Sequence, residues 1–172
     1  ARFPRGLART GWKDDYVSAQ IDFFNSKESG QWSLPMYLGT FGLYYNKSMF
    51  RERGVAFPDE SWDWNKWADA MQKLTVRPDK FGADFQSFSR SRAMMMILQN
   101  GGHMVDPKDD TVCVVDQPPA LEALQWISDR WWKDHTAIQR PELQGRNATA
   151  LFGSGTVAMI MDGSFRVAPI AQ

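Results

Sequence analysis

The sequence predicts an α/β domain in which helices pack on a mixed β-sheet. Apolar runs of strand length alternate along the chain with longer segments whose apolar residues recur at helical spacing. Clusters of Gly, Pro, Asn and Asp separate these runs, as expected at turns. With 172 residues, the chain has the size of one ordinary domain and is long enough to bury a substantial core.

The N-terminal part of the chain is predicted to be a short helix followed by two extended stretches. The helix covers residues 13–25. Residues 31–37 and 42–45 have the composition of strands, and the glycines between them are expected to bend or bulge the chain. The apolar face of the helix would consist of Val17, Ile21 and Phe24.

Two helices with recognisable ends are predicted next. The first covers residues 47–53 and ends at Gly54, because glycine suits the left-handed conformation that follows a helix. The second begins after Ser61, whose hydroxyl is expected to accept a backbone N–H of the first turn. Its apolar residues recur every three or four positions and form one stripe. The stripe consists of Trp64, Trp67, Ala68, Met71 and Leu74.

The second half of the chain continues the alternation of strands and helices. A buried strand is predicted at residues 81–85, an apolar helix at 91–99, and a hairpin at 101–115 that turns at the PKDD stretch. Cys113 lies in an apolar part of this hairpin and is expected to be a small buried side chain.

Three further elements complete the prediction. A long helix opens at Pro118 and Pro119, since proline is well tolerated in a first turn. A short helix follows at residues 146–152 and a strand at 156–161, before a polar turn. The buried stripe of the long helix would consist of Leu121, Leu124, Ile127 and Trp131.

The charge balance and the residue usage exclude several classes of function. The 20 Lys and Arg residues equal the 20 Asp and Glu residues, so no basic field favours nucleic acid and no nucleic-acid partner is expected. The single cysteine excludes an internal disulfide, and the two histidines stand outside any metal-binding spacing. No metal or cofactor is therefore expected. No apolar run is long enough to span a membrane.

Catalytic motifs have little support in this sequence. The GSGT segment at residues 153–156 lacks the Gly-Lys-Ser/Thr of a phosphate-binding loop, and no Gly-x-Ser-x-Gly elbow is present. A pair of carboxylates that hydrolyses a glycoside stays open, because sequence does not reveal their separation in space. The 8 tryptophans and 11 phenylalanines are mostly expected in the core, but some of these flat rings would suit the faces of sugars.

The segments PMYLGTFGLYYNKSMF, FGADF, NGGHMVD and LFGSGTVAMIMDGSF occur in this order along the chain. Taken together, they resemble the extracellular solute-binding proteins of ABC importers, sugar-binding family 1. The segment PMYLGTFGLYYNKSMF and the RERGVAFPDESWDWNKWADAMQKLT that follows it match the family's strand, its Tyr-Tyr-Asn-Lys and the next helix start. FGADF resembles the next strand, NGGHMVD the Gly-Gly hairpin, and LFGSGTVAMIMDGSF the strand signature that ends in Gly-Ser/Pro-Trp. The resemblance runs from about Trp32 to Phe165.

The resemblance implies two α/β lobes joined by hinge strands, with the solute held between them. Residues 1–36 would be the tail of the first lobe, 37–42 the hinge, and 43–172 most of the second lobe. The chain would then be an incomplete member with a periplasmic-binding-protein-like (type II) lobe, a mixed sheet flanked by helices. In the hinge, Gly39 would allow close approach of the backbone and Thr40 would face the solute.

The same resemblance implies which residues bind the solute. After the FGADF strand, Phe88 would stack on a sugar ring, while Gln86 and Arg90 would hydrogen-bond its hydroxyls. Phe165 stands where family members commonly carry Trp, and it is expected to be the principal stacking ring. The full expected ligand-binding set is Gly39, Thr40, Gln86, Phe88, Ser89, Arg90, Ser164 and Phe165.

The function implied by the resemblance is that of the substrate-binding component of an ABC transporter. It would capture a sugar or oligosaccharide by hinge closure, without catalysis. Its partners would be the sugar and the permease subunits, and it would lie in the periplasm or at the outer face of the cell membrane. Three alternatives stay open: a glycoside-processing enzyme domain, a binder of glycerol phosphate or another small solute, and an interaction scaffold without a ligand.

Overall fold

The structure, a computed structural model, describes residues 14, 16–26, 30–36, 39–85 and 90–170. The chain separates into two compact units, Ala1–Thr40 and Phe41–Gln172. The boundary between them falls at residues 40 and 41, and the assignment of the units to two lobes stays a prediction.

Among its described residues, the first unit contains one short α-helix and a small antiparallel ribbon. Helix α1 covers Ser18–Phe23, and strands β1 (Asn25–Ser26) and β2 (Gly30–Gln31) pair with each other. The predicted helix at 13–25 is therefore too long, and Val17 is exposed instead of lying on its apolar face. Val17 is the N-cap residue with extended backbone angles, so its side chain stands outside the helical face.

The predicted strand at residues 31–37 is also largely wrong. Only Gln31 belongs to a strand, and residues 32–36 have no regular structure, while Tyr37 lies outside the described residues. Pro35 has no backbone N–H to donate to a ladder, which is unfavourable inside a strand. An edge-to-face contact of Phe24 with Trp32, with ring centroids 5.2 Å apart, holds this stretch against the end of α1.

The second unit is built on a mixed sheet, as the sequence predicts. Within its described residues, strands β3 (Phe41–Tyr45), β4 (Phe81–Asp84) and β5 (Val157–Gly163) follow the order β3-β5-β4. Strand β5 runs antiparallel to β3 and parallel to β4. All seven residues of β5 are buried, because it is the central strand and helices cover the sheet. A single parallel bridge between Ala83 and Ala137 extends the β4 edge.

Six helices of the second unit lie within the described residues; the first five follow the predicted order, and the sixth lies where the sequence predicts a polar turn. Two 3₁₀ turns, at Arg140–Leu143 and Ser164–Arg166, accompany them. The helices are α2 (Lys47–Glu52), α3 (Trp64–Leu74), α4 (Arg90–Gln99), α5 (Pro118–Trp132), α6 (Ala148–Gly153) and α7 (Val167–Ile170).

The ends of the helices confirm one prediction and correct another. Gly54 follows α2 with φ of +63°, as expected of a glycine that ends a helix. Ser61 does not cap α3. The cap is Asp63, whose Oδ1 accepts the Lys66 N–H at 2.8 Å, because Asp63 directly precedes the first helical residue. Ser61 instead hydrogen-bonds Asp59.

The buried face of α5 begins one residue before the predicted stripe. Ala120, Ala123 and Ile127 are buried, whereas Leu121 is half exposed. The reason is a close approach of backbone to backbone: a Cβ on Gly102 would stand 3.0 Å from the Ala120 nitrogen. Small residues therefore face inward at the start of α5, and the larger leucine turns outward.

The prediction of a buried Cys113 is wrong. The hairpin at residues 101–115 forms only one bridge, Val105 with Cys113, and both of these side chains and Val112 are exposed. The segment is a surface ribbon whose apolar side chains at these positions stay exposed, so its apolar composition does not indicate burial.

Replacing Gly82 with Ala is expected to destabilise the second unit by about 3 kcal/mol. A Cβ at this position of β4 would meet the Cα, the carbonyl oxygen and the Cβ of Met71 in α3 at 2.5 to 2.7 Å, so the helix would have to move off the sheet. Urea unfolding followed by tryptophan fluorescence measures the effect. The control is Gly153→Ala at the end of α6, where an added Cβ meets nothing within 4 Å; equal midpoints for the two variants would contradict the prediction.

Candidate ligand-binding site

The predicted ligand-binding residues divide into three groups. Gln86, Phe88 and Ser89 lie outside the described residues. In the second unit, Ser164 and Phe165 follow β5 directly and are exposed, and Arg90 is the exposed first residue of α4. The first unit ends with the two exposed residues Gly39 and Thr40.

Phe165 presents an open aromatic ring at the end of a buried strand. The residue is 54% exposed. A Cβ built on Gly163 would overlap two adjacent atoms of this ring and stand 3.1 Å from a third, so the ring occupies the space that only a glycine leaves free. The guanidinium carbon of Arg166 lies 5.5 Å from the ring centroid, within the range of a cation–π contact. Two neighbours thus hold the ring while more than half of the residue stays accessible.

A buried carboxylate supports the strand end that carries Phe165. The side chain of Asp162 is 1% exposed, and its Oδ2 contacts Arg92 Nη2 at 2.7 Å and Arg166 Nε at 3.0 Å. Its Oδ1 accepts the backbone N–H of Gly163 at 2.7 Å. Arg92 Nε also donates to the Met161 carbonyl at 2.7 Å. Both carboxylate oxygens are engaged, as a buried charge requires.

Tyr44 links strand β3 to the same strand end. Its hydroxyl donates to the Gly163 carbonyl at 2.9 Å. Partial burial, followed by the nearby Asp162 carboxylate, raises the pKa of Tyr44, and Arg166 opposes the shift. The phenol therefore stays protonated at neutral pH and remains a donor. Tyr45, on the opposite face of the strand, packs on Phe50 with ring centroids 5.3 Å apart.

Sequence reasoning missed the pair of Arg92 and Asp162. Each residue carries a signal in hindsight: Arg92 directly precedes the apolar run AMMMIL, and Asp162 directly follows the apolar strand VAMIM. A charged residue inside a buried element needs a partner. The two positions are far apart in the chain, however, and nothing in a single sequence pairs them.

Two kinds of feature are not found within the described ranges. They contain no group of three or more His, Cys, Asp or Glu side chains that could hold a metal ion. None of the helices in these ranges has an apolar stretch of the length needed to span a bilayer.

Sequence comparison relates almost the whole chain to a known family. The profile of the family described as bacterial extracellular solute-binding protein matches residues 8–172. An arabinooligosaccharide-binding protein of Halalkalibacterium halodurans is 24% identical over 117 residues, which are 67% of this chain. The match spans 25% of that curated relative's length.

Structural comparison confirms the predicted type II periplasmic-binding-protein-like fold. An ABC substrate-binding protein of Listeria monocytogenes, solved in complex with cycloalternan, superposes with a TM-score of 0.84 at 22% identity over 95% of this chain and 41% of its own. The GacH receptor of Streptomyces glaucescens, solved unliganded and with acarbose, gives 0.75 at 22% identity over 91% of this chain and 39% of its own.

Replacing Asp162 with Asn is expected to destabilise the second unit by roughly 3–5 kcal/mol, because it removes the buried negative charge that pairs with the Arg92 guanidinium. The matched control is Asp69→Asn, which removes an exposed ion pair with Lys73 at 2.6 Å and should cost about 0.5 kcal/mol or less. Urea denaturation of both variants measures the difference. Equal losses would show that the Asp162 contacts add nothing beyond a surface pair.

Proposed function

Because the chain belongs to the family of bacterial extracellular solute-binding proteins, we propose that it forms part of the substrate-binding component of an ABC importer and captures a sugar or oligosaccharide. The observation that carries this proposal is the Phe165 platform: an open, supported aromatic ring at the end of the central strand. A flat apolar ring offers broad contact to the C–H face of a sugar.

The charges around Phe165 favour an uncharged solute. Arg92 and Arg166 both contact the Asp162 carboxylate, so both guanidinium groups are already engaged in ion pairs within the protein. A phosphate or carboxylate ligand would compete with Asp162 for the same guanidinium groups. A ligand with neutral hydroxyl groups would not have to displace Asp162 from these guanidinium groups. The compounds named for the relatives, an arabinooligosaccharide, cycloalternan and acarbose, agree with a saccharide.

The proposed mechanism is closure of two lobes about a hinge. Residues 1–36 would belong to the first lobe, 37–42 to the hinge with Gly39 and Thr40, and 43–172 to the second lobe. A sugar that contacts both lobes stabilises the closed form in proportion to those additional contacts. Gln86, Phe88, Ser89 and Arg90 would complete the second lobe's side of the cleft together with Ser164 and Phe165.

The proposed mechanism forms or breaks no covalent bond. The carboxylate nearest to Phe165 in the chain, Asp162, has both oxygens engaged by protein donors, so it is poorly suited to protonate a glycosidic oxygen. The protein would work outside the cytoplasm, in the periplasm or anchored at the outer face of the membrane. There it would deliver the sugar to the permease subunits of the importer.

Phe165→Ala in the full-length gene product is expected to weaken saccharide binding at least about tenfold, because it removes the stacking face. Phe165→Trp, which enlarges that face, should retain the affinity. Isothermal titration calorimetry against arabino- and malto-oligosaccharides measures the effect.

Trp132→Ala serves as the control for this experiment. Trp132 is 69% exposed at the end of α5, and its removal should leave the affinity unchanged. An unchanged affinity in Phe165→Ala would remove this ring from the site. Heat with a polyamine or a phosphate ester, and none with any saccharide, would overturn the substrate class.

A further inference from the structure

A second aromatic concavity lies beside the strand end that carries Phe165. Strands β3 and β5 and helices α3 and α4 enclose a cleft of about 210 Å³, here called the tryptophan cleft. The proposed stacking site does not use it. Its aromatic walls are Phe41, Trp62, Trp64 and Trp67, and its polar side chains are Asp63 and Gln99.

Strand register places this cleft next to Phe165. Phe41 pairs with Gly163 across the antiparallel ladder, so a Cβ on Gly163 would lie on the same face of the sheet as the Phe41 side chain. The Phe165 ring fills that Cβ position. Met161, two residues earlier on the same face, lines the cleft. Two strand residues span about 7 Å, so the cleft and the ring lie side by side.

The polar side chains of the cleft can hydrogen-bond the hydroxyl groups of a sugar. Trp64 Nε1 donates to Gln99 Oε1 at 3.1 Å, which leaves the Gln99 amide nitrogen as a donor. Asp63 uses Oδ1 for the helix cap, and its Oδ2 remains an acceptor. Both polar residues are exposed, so these groups can meet the hydroxyls of a ligand.

We propose that the tryptophan cleft is a second saccharide subsite, which takes one further sugar ring beside the ring stacked on Phe165. The volume supports one ring: it exceeds the roughly 150 Å³ that holds a benzene and falls below the roughly 300–1,000 Å³ of sites for larger ligands. This inference rests on the proposed function and narrows it to oligosaccharides, since a monosaccharide would occupy one subsite only.

The test is the dependence of affinity on saccharide length in the full-length gene product. Calorimetry with arabinose, arabinotriose, glucose and maltotriose should show that one trisaccharide binds at least about tenfold tighter than its monosaccharide. Trp64→Ala removes a wall of the cleft, and Gln99→Leu removes its amide at an exposed position where folding is little affected. Both variants should reduce the preference to about threefold or less while leaving the monosaccharide affinity unchanged.

The outcomes separate the inference from the function on which it rests. If the wild type binds mono- and trisaccharides equally, or if Gln99→Leu and a folded Trp64→Ala keep the full preference, the cleft is not a subsite and saccharide binding still stands. If the wild type binds no saccharide, both proposals fail. Trp132→Ala, outside the cleft and exposed, is the matched tryptophan control and should keep the preference. Far-ultraviolet circular dichroism establishes that each variant is folded.

Discussion

Much of the architecture of the second unit follows from a charge buried at the end of a strand. The Asp162 carboxylate is almost without solvent contact, and a buried charge is tolerated only when its oxygens are paired and hydrogen-bonded. Its partners come from two elements: Arg92 from α4, and Arg166 from the turn after β5. Meeting the requirement of this one side chain therefore ties α4 and the Phe165 turn to the central strand.

Three side chains of that network fix the turn that carries Phe165. Asp162 accepts a hydrogen bond from the Gly163 N–H, and the Tyr44 hydroxyl donates one to the Gly163 carbonyl. Arg166 contacts both the Asp162 carboxylate and the Phe165 ring. A ring that is already positioned loses less conformational entropy when a ligand stacks on it. The same contacts thus stabilise the strand end and fix the position of the Phe165 ring.

The sequence predicted those parts of the fold that depend on local pattern. The alternation of strands and helices follows from spacing, and the glycine that ends α2 follows from its conformational preference. The failures involve contacts between distant segments. The inward face of α5 depends on how closely Gly102 approaches Ala120, and the exposure of Cys113 depends on what covers a hairpin. The pairing of Arg92 with Asp162 depends on the tertiary fold, so no local pattern contains it.

The charges around the Phe165 platform affect which solutes it could distinguish. The chain has no net formal charge, and the two guanidinium groups beside the platform are directed to Asp162. Long-range attraction would therefore have little part in bringing the proposed solute to this surface. Discrimination would depend on the shape of the rings and on short hydrogen bonds, which act only at contact. Neutral polyols differ from one another in these same properties, in the placement of hydroxyls and apolar faces. A platform whose two neighbouring guanidinium groups are already paired with a carboxylate would accordingly be better matched to distinguishing saccharides than to binding anions.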